Sequence, residues 1–287
     1  MNDSLGDRME KRYENRTRIY LPRRTYTILR LDGKSFHTYT RSMRANGMDT
    51  FNKRLASCFN FAAIELCKQA QGSEFAYLQS DEVSILLTDF RDIRTDAWFD
   101  GNLQKIVSVS ASIFTQAFNR AAVERFFSPI AVFDVRVFTI ADKVEVANYF
   151  IWRQKDWERN SIQMLARDHF SHKALRNKKS QDIHDMLHEK EINWNDLPVW
   201  CKRGRVVEYD QKLGDYKVDD NIPVFTQDKD YLGKRIPDMW PASGPTGPQG
   251  ETSGVRETEC NPSGADNSRP DGIPRHCETQ EREYLLP

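Results

Sequence analysis

Two short acidic segments carry the residues best suited to chemistry. At residues 32–33 an Asp-Gly pair closes the run TYTILRL (25–31). At residues 79–82, Gln-Ser-Asp-Glu joins EFAYLQ (74–79) to VSILLT (83–88). A carboxylate at the end of an apolar strand puts charge at the edge of a sheet, and the glycine beside it lets backbone approach whatever sits there. Magnesium takes hard oxygen ligands, often one or two carboxylates completed by water and phosphate oxygens. Two such ions about 4 Å apart clamp the attacking and leaving oxygens of a phosphoryl or nucleotidyl transfer. Asp32, Asp81 and Glu82 are therefore the candidate catalytic acids. Gly33 offers a backbone carbonyl to a metal, and Lys34, Ser35, Phe36 and His37 follow with cationic and polar donors for a triphosphate. Each member also has a plainer explanation. Asp-Gly is the commonest hairpin turn, Ser80 suits any turn, Glu82 can stand behind the site, and His37 can pack in a core.

For the two acidic segments to meet, the elements around them must form one sheet. Residues 25–31 are β-branched and aromatic, hence a strand. Residues 51–71 carry apolar side chains at helical spacing and end at Gly72, a helix with its usual stop. Residues 74–79 and 83–88 alternate as two strands around a tight turn. A long helix is predicted over 103–127 and a fourth strand over 130–140. The order strand, helix, strand, strand, helix, strand is the ferredoxin-like (split βαβ) arrangement of an α+β fold. In it the first strand lies beside the hairpin, so Asp32 faces Asp81 and Glu82. Ahead of this core, residues 4–18 read as an amphipathic helix with Leu5, Met9 and Tyr13 on one face.

The remainder divides in two. Residues 141–240 are predicted as a helical and strand lobe of the same catalytic unit, with helices over 141–170 and 182–191 and a basic turn into a strand at 202–209. Its basic residues interleave with Trp152, Trp157 and His172, and Arg153, Lys155, Arg159, Asn160 and Lys173 are the candidate RNA contacts. A solvated helical face explains the same charges. Residues 241–287 are rich in Gly, Pro and Ser, with 4 Lys or Arg against 8 Asp or Glu. Such a segment buries too little apolar surface to offset its ordering entropy and is predicted to be disordered. The first 240 residues carry 38 basic side chains against 34 acidic ones, a mild excess compatible with a nucleic-acid partner. The five cysteines show no CxxC pairing and suggest reduced thiols. With no secretory signal and no bilayer-length apolar run, a soluble cytoplasmic protein without a membrane partner is expected.

RLDGKSFH (30–37) and LQSDEVSI (78–85), followed by FDVR (133–136), WRQ (152–154) and KRG (202–204), resemble the tRNA-His guanylyltransferase family in one colinear order. These are polymerases that add nucleotides in the 3′-to-5′ direction. The resemblance implies a polymerase palm and two Mg²⁺ ions on Asp32, Gly33 and Asp81. It implies nucleotide contacts at Asp32, Gly33, Lys34, Ser35, Phe36, His37, Ser80 and Asp81. It further implies a tRNA substrate whose 5′-phosphate is activated by ATP or GTP, and a homotetramer built as a dimer of dimers. One departure matters. Where eukaryotic members that guanylylate histidine tRNA carry His-Ile-Asn-Asn, this chain reads WERNS (157–161), keeping only Asn160. That favours the bacterial, archaeal or phage-like branch, which repairs tRNAs truncated at the 5′ end. Two other readings remain: a palm-type nucleotide cyclase, which leaves WRQ and KRG unexplained, and a non-catalytic RNA-binding module. The latter shares the strand order but places aromatics where this chain has Asp32 and Asp81.

Overall fold

The computed structural model describes residues 4–45, 48–124 and 130–239. The predicted tail, 241–287, lies outside them. After helix α1 (Leu5–Arg12) come strand β1 (Tyr26–Gly33), helices α2 (Phe36–Ala45) and α3 (Lys53–Gln69), and the hairpin of β2 (Ser73–Gln79) and β3 (Glu82–Leu87). Helix α4 (Leu103–Glu124), strand β4 (Phe133–Ile140) and helix α5 (Lys143–His169) follow. Then come α6 (His172–Leu175), α7 (Ser180–His188), α8 (Val199–Arg203), strands β5 (Arg205–Asp210) and β6 (Asp215–Asp219), and α9 (Lys229–Gly233).

The strands form one sheet in the order β4-β1-β3-β2-β5-β6, every neighbouring pair antiparallel. Its first four strands have the ferredoxin-like order, so the α+β architecture expected from the sequence is the one present. Alternation along the strands sorts the core. Leu29, Leu31, Val83, Ile85 and Phe133 face α3 and α4, where Phe59, Leu66, Phe114 and Phe118 fill the layer. Ile28, Phe75, Tyr77 and Leu86 face the other way, against Val146 and Phe150 of α5 and against Phe225, Leu232 and Ile236. Both faces of β3 are thus covered, and every one of its residues is buried.

Several boundaries differ from the sequence reading for local reasons. Asn52 caps α3 by accepting the Leu55 N–H, and Asp142 caps α5 by accepting those of Val144 and Glu145. The first predicted helix stops at Arg12 and continues as a 3₁₀ turn over Glu14–Thr17, and its Leu5, Met9 and Tyr13 are exposed rather than packed. Beyond the palm, β5 and β6 extend the same sheet. Residues 162–197, by contrast, close a small core of their own, with Ile162, Leu165, Ile183, Leu187 and Trp194 buried together. A separate core there was not expected. No helix among the described residues is long and apolar enough to cross a membrane.

Candidate active site

The register of the sheet brings the acids together. Asp32 is opposite Glu82 on β3 and opposite Asp134 on β4. The Gly33 N–H donates to the Asp81 carbonyl oxygen at 3.2 Å, tying the end of β1 to the hairpin turn. That turn is two residues long, Ser80 and Asp81, with Ser80 at φ 45°. Asp32 and Asp81 are half-buried, and among the described residues neither has an ion-pair partner. Burial pushes the Asp81 carboxyl up to about 6, and the charges of Asp32 and Glu82 act in the same direction. Burial, then the charge of Asp134, raises Asp32, against the pull of Arg30, Arg136 and Arg153. Two carboxylates left in this condition are poised for a cation.

The segment after Gly33 is a strand-turn-helix. Lys34 N–H donates to the Val132 carbonyl oxygen at 2.8 Å, Ser35 sits at φ 52°, and α2 begins at Phe36. The first N–H groups of such a helix lack partners within it and favour anions. Lys34, Ser35 and His37 are exposed beside this helix start, so His37 is not a core histidine. Phe36 turns inward onto Tyr39, Phe59, Phe118 and Phe133 and anchors the turn. A Cβ on Gly33 would lie 2.5 Å from the Phe36 ring, so this close approach requires glycine.

Glu82 corrects the sequence reading. Its carboxylate accepts Arg153 Nε at 2.6 Å, Arg153 Nη2 at 2.8 Å and Gln79 Nε2 at 2.9 Å, and is 8 % exposed. Saturated in this way it is a positioning group and not a free catalytic acid. Arg153 is corrected with it. The guanidinium also donates to Asp156 Oδ2 at 3.0 Å and is buried, so it does not belong to an RNA-facing surface. Gln154, next in the chain, donates to the Arg203 and Pro223 carbonyl oxygens and accepts the Phe225 N–H at 2.7 Å. WRQ and KRG therefore hold each other. Tyr77 donates to the same Arg203 oxygen at 2.9 Å, fixing the strand that leads into Ser80. Of the other predicted RNA contacts, Lys155, Arg159, Asn160 and Lys173 are exposed, Arg159 and Asn160 being bonded to Asp156. Trp157 is buried and offers no face on the outer surface of α5.

Two hollows flank the Ser80–Asp81 turn. One, about 380 Å³, opens onto Asp32, Asp81, Glu82 and Arg153. The other, about 250 Å³, runs from His37 between α2, α3 and α5 to Trp200 and Arg205. Ser80, Asp81, Trp157, Met164 and Arg167 wall both. Asp134 and Arg205 were not picked out from the sequence as site residues. Arg167 shares one face of α5 with Trp157, Asn160 and Met164, which recur at helical spacing. Among the described residues no three His, Cys, Asp or Glu side chains gather to hold a metal by themselves. The donor set, two carboxylates and a backbone carbonyl open to phosphate, still fits magnesium, which commonly takes that few protein ligands.

A family profile described as tRNAHis guanylyltransferase matches residues 7–141. A bacterial tRNA(His) guanylyltransferase-like protein solved in complex with ATP is 44% identical, superposes with a TM-score of 0.75, and is matched over 81% of this chain and 99% of its own. The chain belongs to the tRNAHis guanylyltransferase family. A bacterial protein of the same description in complex with GTP is 41% identical, with a TM-score of 0.68 and the same coverage. The tRNA(His) guanylyltransferase of Schizosaccharomyces pombe is 27% identical over 210 residues, 68% of this chain and 77% of that protein. Membership makes the chain a nucleotidyltransferase of tRNA 5′ ends. It also accounts for the palm order of the sheet and for a nucleotide-sized opening beside paired aspartates.

Proposed function

We propose that this chain adds nucleotides to the 5′ end of tRNA in the 3′-to-5′ direction, with Asp32, Asp81 and the Gly33 carbonyl holding two Mg²⁺ ions. The observation that carries the reading is the convergence of Asp32 and Asp81, both half-buried and unpaired, at the point where β1 meets the hairpin turn. Bound there, the ions would supply charge neutralisation to attacking and leaving oxygens. The protein's part is placement. The N–H groups at the start of α2, with Lys34 and Ser35, bind the triphosphate. Ser80 and Asp81 separate the two hollows, so one nucleotide can approach from each side. In the first step a 5′-phosphate oxygen of the tRNA attacks the α-phosphorus of ATP or GTP and pyrophosphate leaves. In the second, the 3′-hydroxyl of an incoming nucleotide attacks the activated 5′-phosphorus and the nucleoside monophosphate leaves. Both are in-line displacements, so one centre serves both, by positioning and electrostatics.

The WERNS sequence at 157–161 favours repair of truncated tRNAs over guanylylation of histidine tRNA. Trp157 is buried, and Arg159 and Asn160 are bonded to Asp156, so this stretch first serves the architecture of α5. Lys155 and Lys173 are the exposed candidates for tRNA phosphates. A cytoplasmic setting and a dimer-of-dimers assembly complete the reading. The experiment uses 5′-monophosphorylated tRNA lacking its first nucleotide, with Mg²⁺, ATP and labelled nucleotides, resolved by product length. Extension that follows the opposing strand and disappears in Asp32→Ala is the expected result. Addition of guanylate to full-length histidine tRNA alone would reverse the repair reading.

A further inference from the structure

The small core closed by residues 162–197 carries a surface that the aspartates do not use. From Lys173 to Lys179 the chain reads KALRNKK, four cations and no acid in seven residues. Lys173, Arg176, Lys178 and Lys179 are all exposed, and among the described residues none of them has an ion-pair partner. On α5, by contrast, Arg153 and Arg159 are both paired with Asp156. Three acids of the lobe are engaged elsewhere. Asp168 accepts the Thr50 hydroxyl, Asp182 accepts the Lys179 N–H at 2.9 Å, and Asp185 accepts Gln181 Nε2 at 3.1 Å. The backbone that carries the four cations is held in one shape. Leu175 is buried with Ile183, Leu187 and Trp194, and Trp194 Nε1 donates to Ser161 Oγ on α5 at 3.0 Å. Lys178 N–H donates to the Leu175 carbonyl oxygen at 3.2 Å, and Asn177 takes φ 61°, which asparagine tolerates better than most residues. The fold thus anchors one leucine and gathers like charges around it, where they repel one another until an anion arrives.

We propose that this knuckle, Lys173 to Lys179, holds the phosphate backbone of the paired acceptor stem, several base pairs in from the 5′ end that reacts. The inference rests on the tRNA reading above and adds a second point of attachment for the same substrate, away from the aspartates. The chemistry of the segment selects phosphate. It offers four cations and, in His172 beside them, a single aromatic ring, so charge outweighs any platform for an unpaired base. Paired RNA has a major groove too narrow for side chains and is met through its phosphates and 2′-hydroxyls. The spacing selects the stem. At 1.5 Å per residue, α5 runs roughly 25 Å from Arg153, beside the aspartates, to its end at Phe170. A duplex that enters at Asp32 and follows α5 meets the knuckle after several base-pair steps. Arg167 lies between, exposed on α5 and walling both hollows, so positive charge continues from the site to the knuckle. Backbone contacts carry no sequence information, so the knuckle holds any stem at the same depth.

The test compares the full chain with a triple variant, Lys173→Gln, Arg176→Gln and Lys178→Gln, on 5′-monophosphorylated tRNA lacking its first nucleotide. In filter binding over a salt series, the slope of log affinity against log salt is expected to fall by about two to three, near one per lost phosphate contact. Affinity near physiological salt should drop about ten- to hundredfold. KM for tRNA should rise by a similar factor, with kcat at saturating tRNA and affinity for ATP unchanged. On a hairpin of about four base pairs, roughly 14 Å of stem, the two chains should bind alike, because the stem ends before the knuckle. An unchanged slope on tRNA overturns the proposal. An equal loss on the short hairpin also overturns it, and so does a fall in kcat or in ATP affinity, since each would put the cations at the reacting end. Lys173→Arg with Lys178→Arg keeps the charge and should keep the wild-type slope; a loss there would trace the effect to the fold of the lobe and overturn the charge assignment. The activity reading fails separately. A wild-type chain that binds tRNA with the expected contrast but extends nothing removes that reading and leaves the backbone assignment standing, whereas no tRNA binding by the wild type at any salt removes both.

Discussion

Asp81 and Glu82 are adjacent in the chain and meet opposite fates. Asp81 sits in the turn with no cation beside it among the described residues, and burial pushes its carboxyl up to about 6. Glu82, one residue on, points to the face of the sheet that α5 covers and is gripped by both arms of Arg153. The first is a carboxylate hydrogen-bonded within its own turn but left without a counter-charge, the second a charge that the fold has neutralised from 71 residues away. The difference teaches how the site is built. An aspartate held in poor solvation and in like-charge company binds a divalent cation more readily. Its neutralised neighbour ties the same turn to α5 through Arg153. The acid left without a counter-charge is the one proposed to hold metal.

The largest effects should separate the two acids. Asp32→Ala and Asp81→Ala are expected to lower 5′-end addition on the order of a thousandfold, as loss of a main charge-stabilising group does. Their urea midpoints should stay at or above wild type. A midpoint that fell with the activity would make Asp81 a structural acid like Glu82 and erase the contrast. Arg153→Met is the converse. Leaving Glu82 buried without its cation is expected to cost about 3–5 kcal/mol in urea unfolding, whereas the pair Glu82→Met with Arg153→Met should recover most of that loss. If the double variant is as unstable as the single, the ion pair is not what secures the turn.

How much of this was legible depends on the range of the physics. The four palm strands were readable because period-2 alternation and β-branched residues act locally, and the strand order then places Asp32 beside the hairpin. Helix α2 was not read, since Thr38, Thr40 and Ser42 are poor helix formers. Its signal lay in Phe36, Tyr39 and Met43, buried at helical spacing. The fate of Glu82 was unreadable, because nothing in QSDE names a partner on a helix that comes 71 residues later. The same holds for Arg205, whose local sequence, KRGRVV, says only basic turn and strand. Its burial follows from β5 pairing with β2, a long-range choice that local pattern does not encode.

A pH experiment sharpens the comparison on the stability side. Asp81 has a higher affinity for its proton in the folded chain, about 6 against an ordinary 3.8. Its favourable share of stability is therefore complete below about pH 4 and is lost as pH rises through about 6. With metal chelated, Asp81→Asn should be more stable than wild type at pH 8 by up to about 3 kcal/mol, an advantage that disappears near pH 4. Thermal melts at both pH values check it. Adding Mg²⁺ should raise the wild-type melting temperature more than that of Asp81→Asn, which keeps Asp32 and the Gly33 carbonyl but has lost one carboxylate ligand. Equal melting temperatures for both chains at pH 8 without metal would mean that the turn carries no such penalty.

The smallest effect concerns two cations of α5 that the sequence treats alike. Arg153 is buried on Glu82, and Lys155, two residues later, projects outward with its side chain exposed. Two positions along a helix rotate a side chain by over half a turn, so one cation faces the sheet and the other faces solvent. Lys155→Ala is expected to change folding stability by no more than about 0.5 kcal/mol, as exposed substitutions do. If it meets the tRNA backbone, its loss should weaken tRNA binding modestly and reduce the slope of log affinity against log salt by about one, uniformly across tRNA sequences. Filter binding over a salt series with wild type and variant gives the number. An unchanged slope would assign Lys155 to solvent alone and move the tRNA surface away from this part of α5, towards Lys173. A slope that falls by one, with nucleotide affinity untouched, would divide α5 by function: its inner face holds the catalytic turn and its outer face holds the substrate.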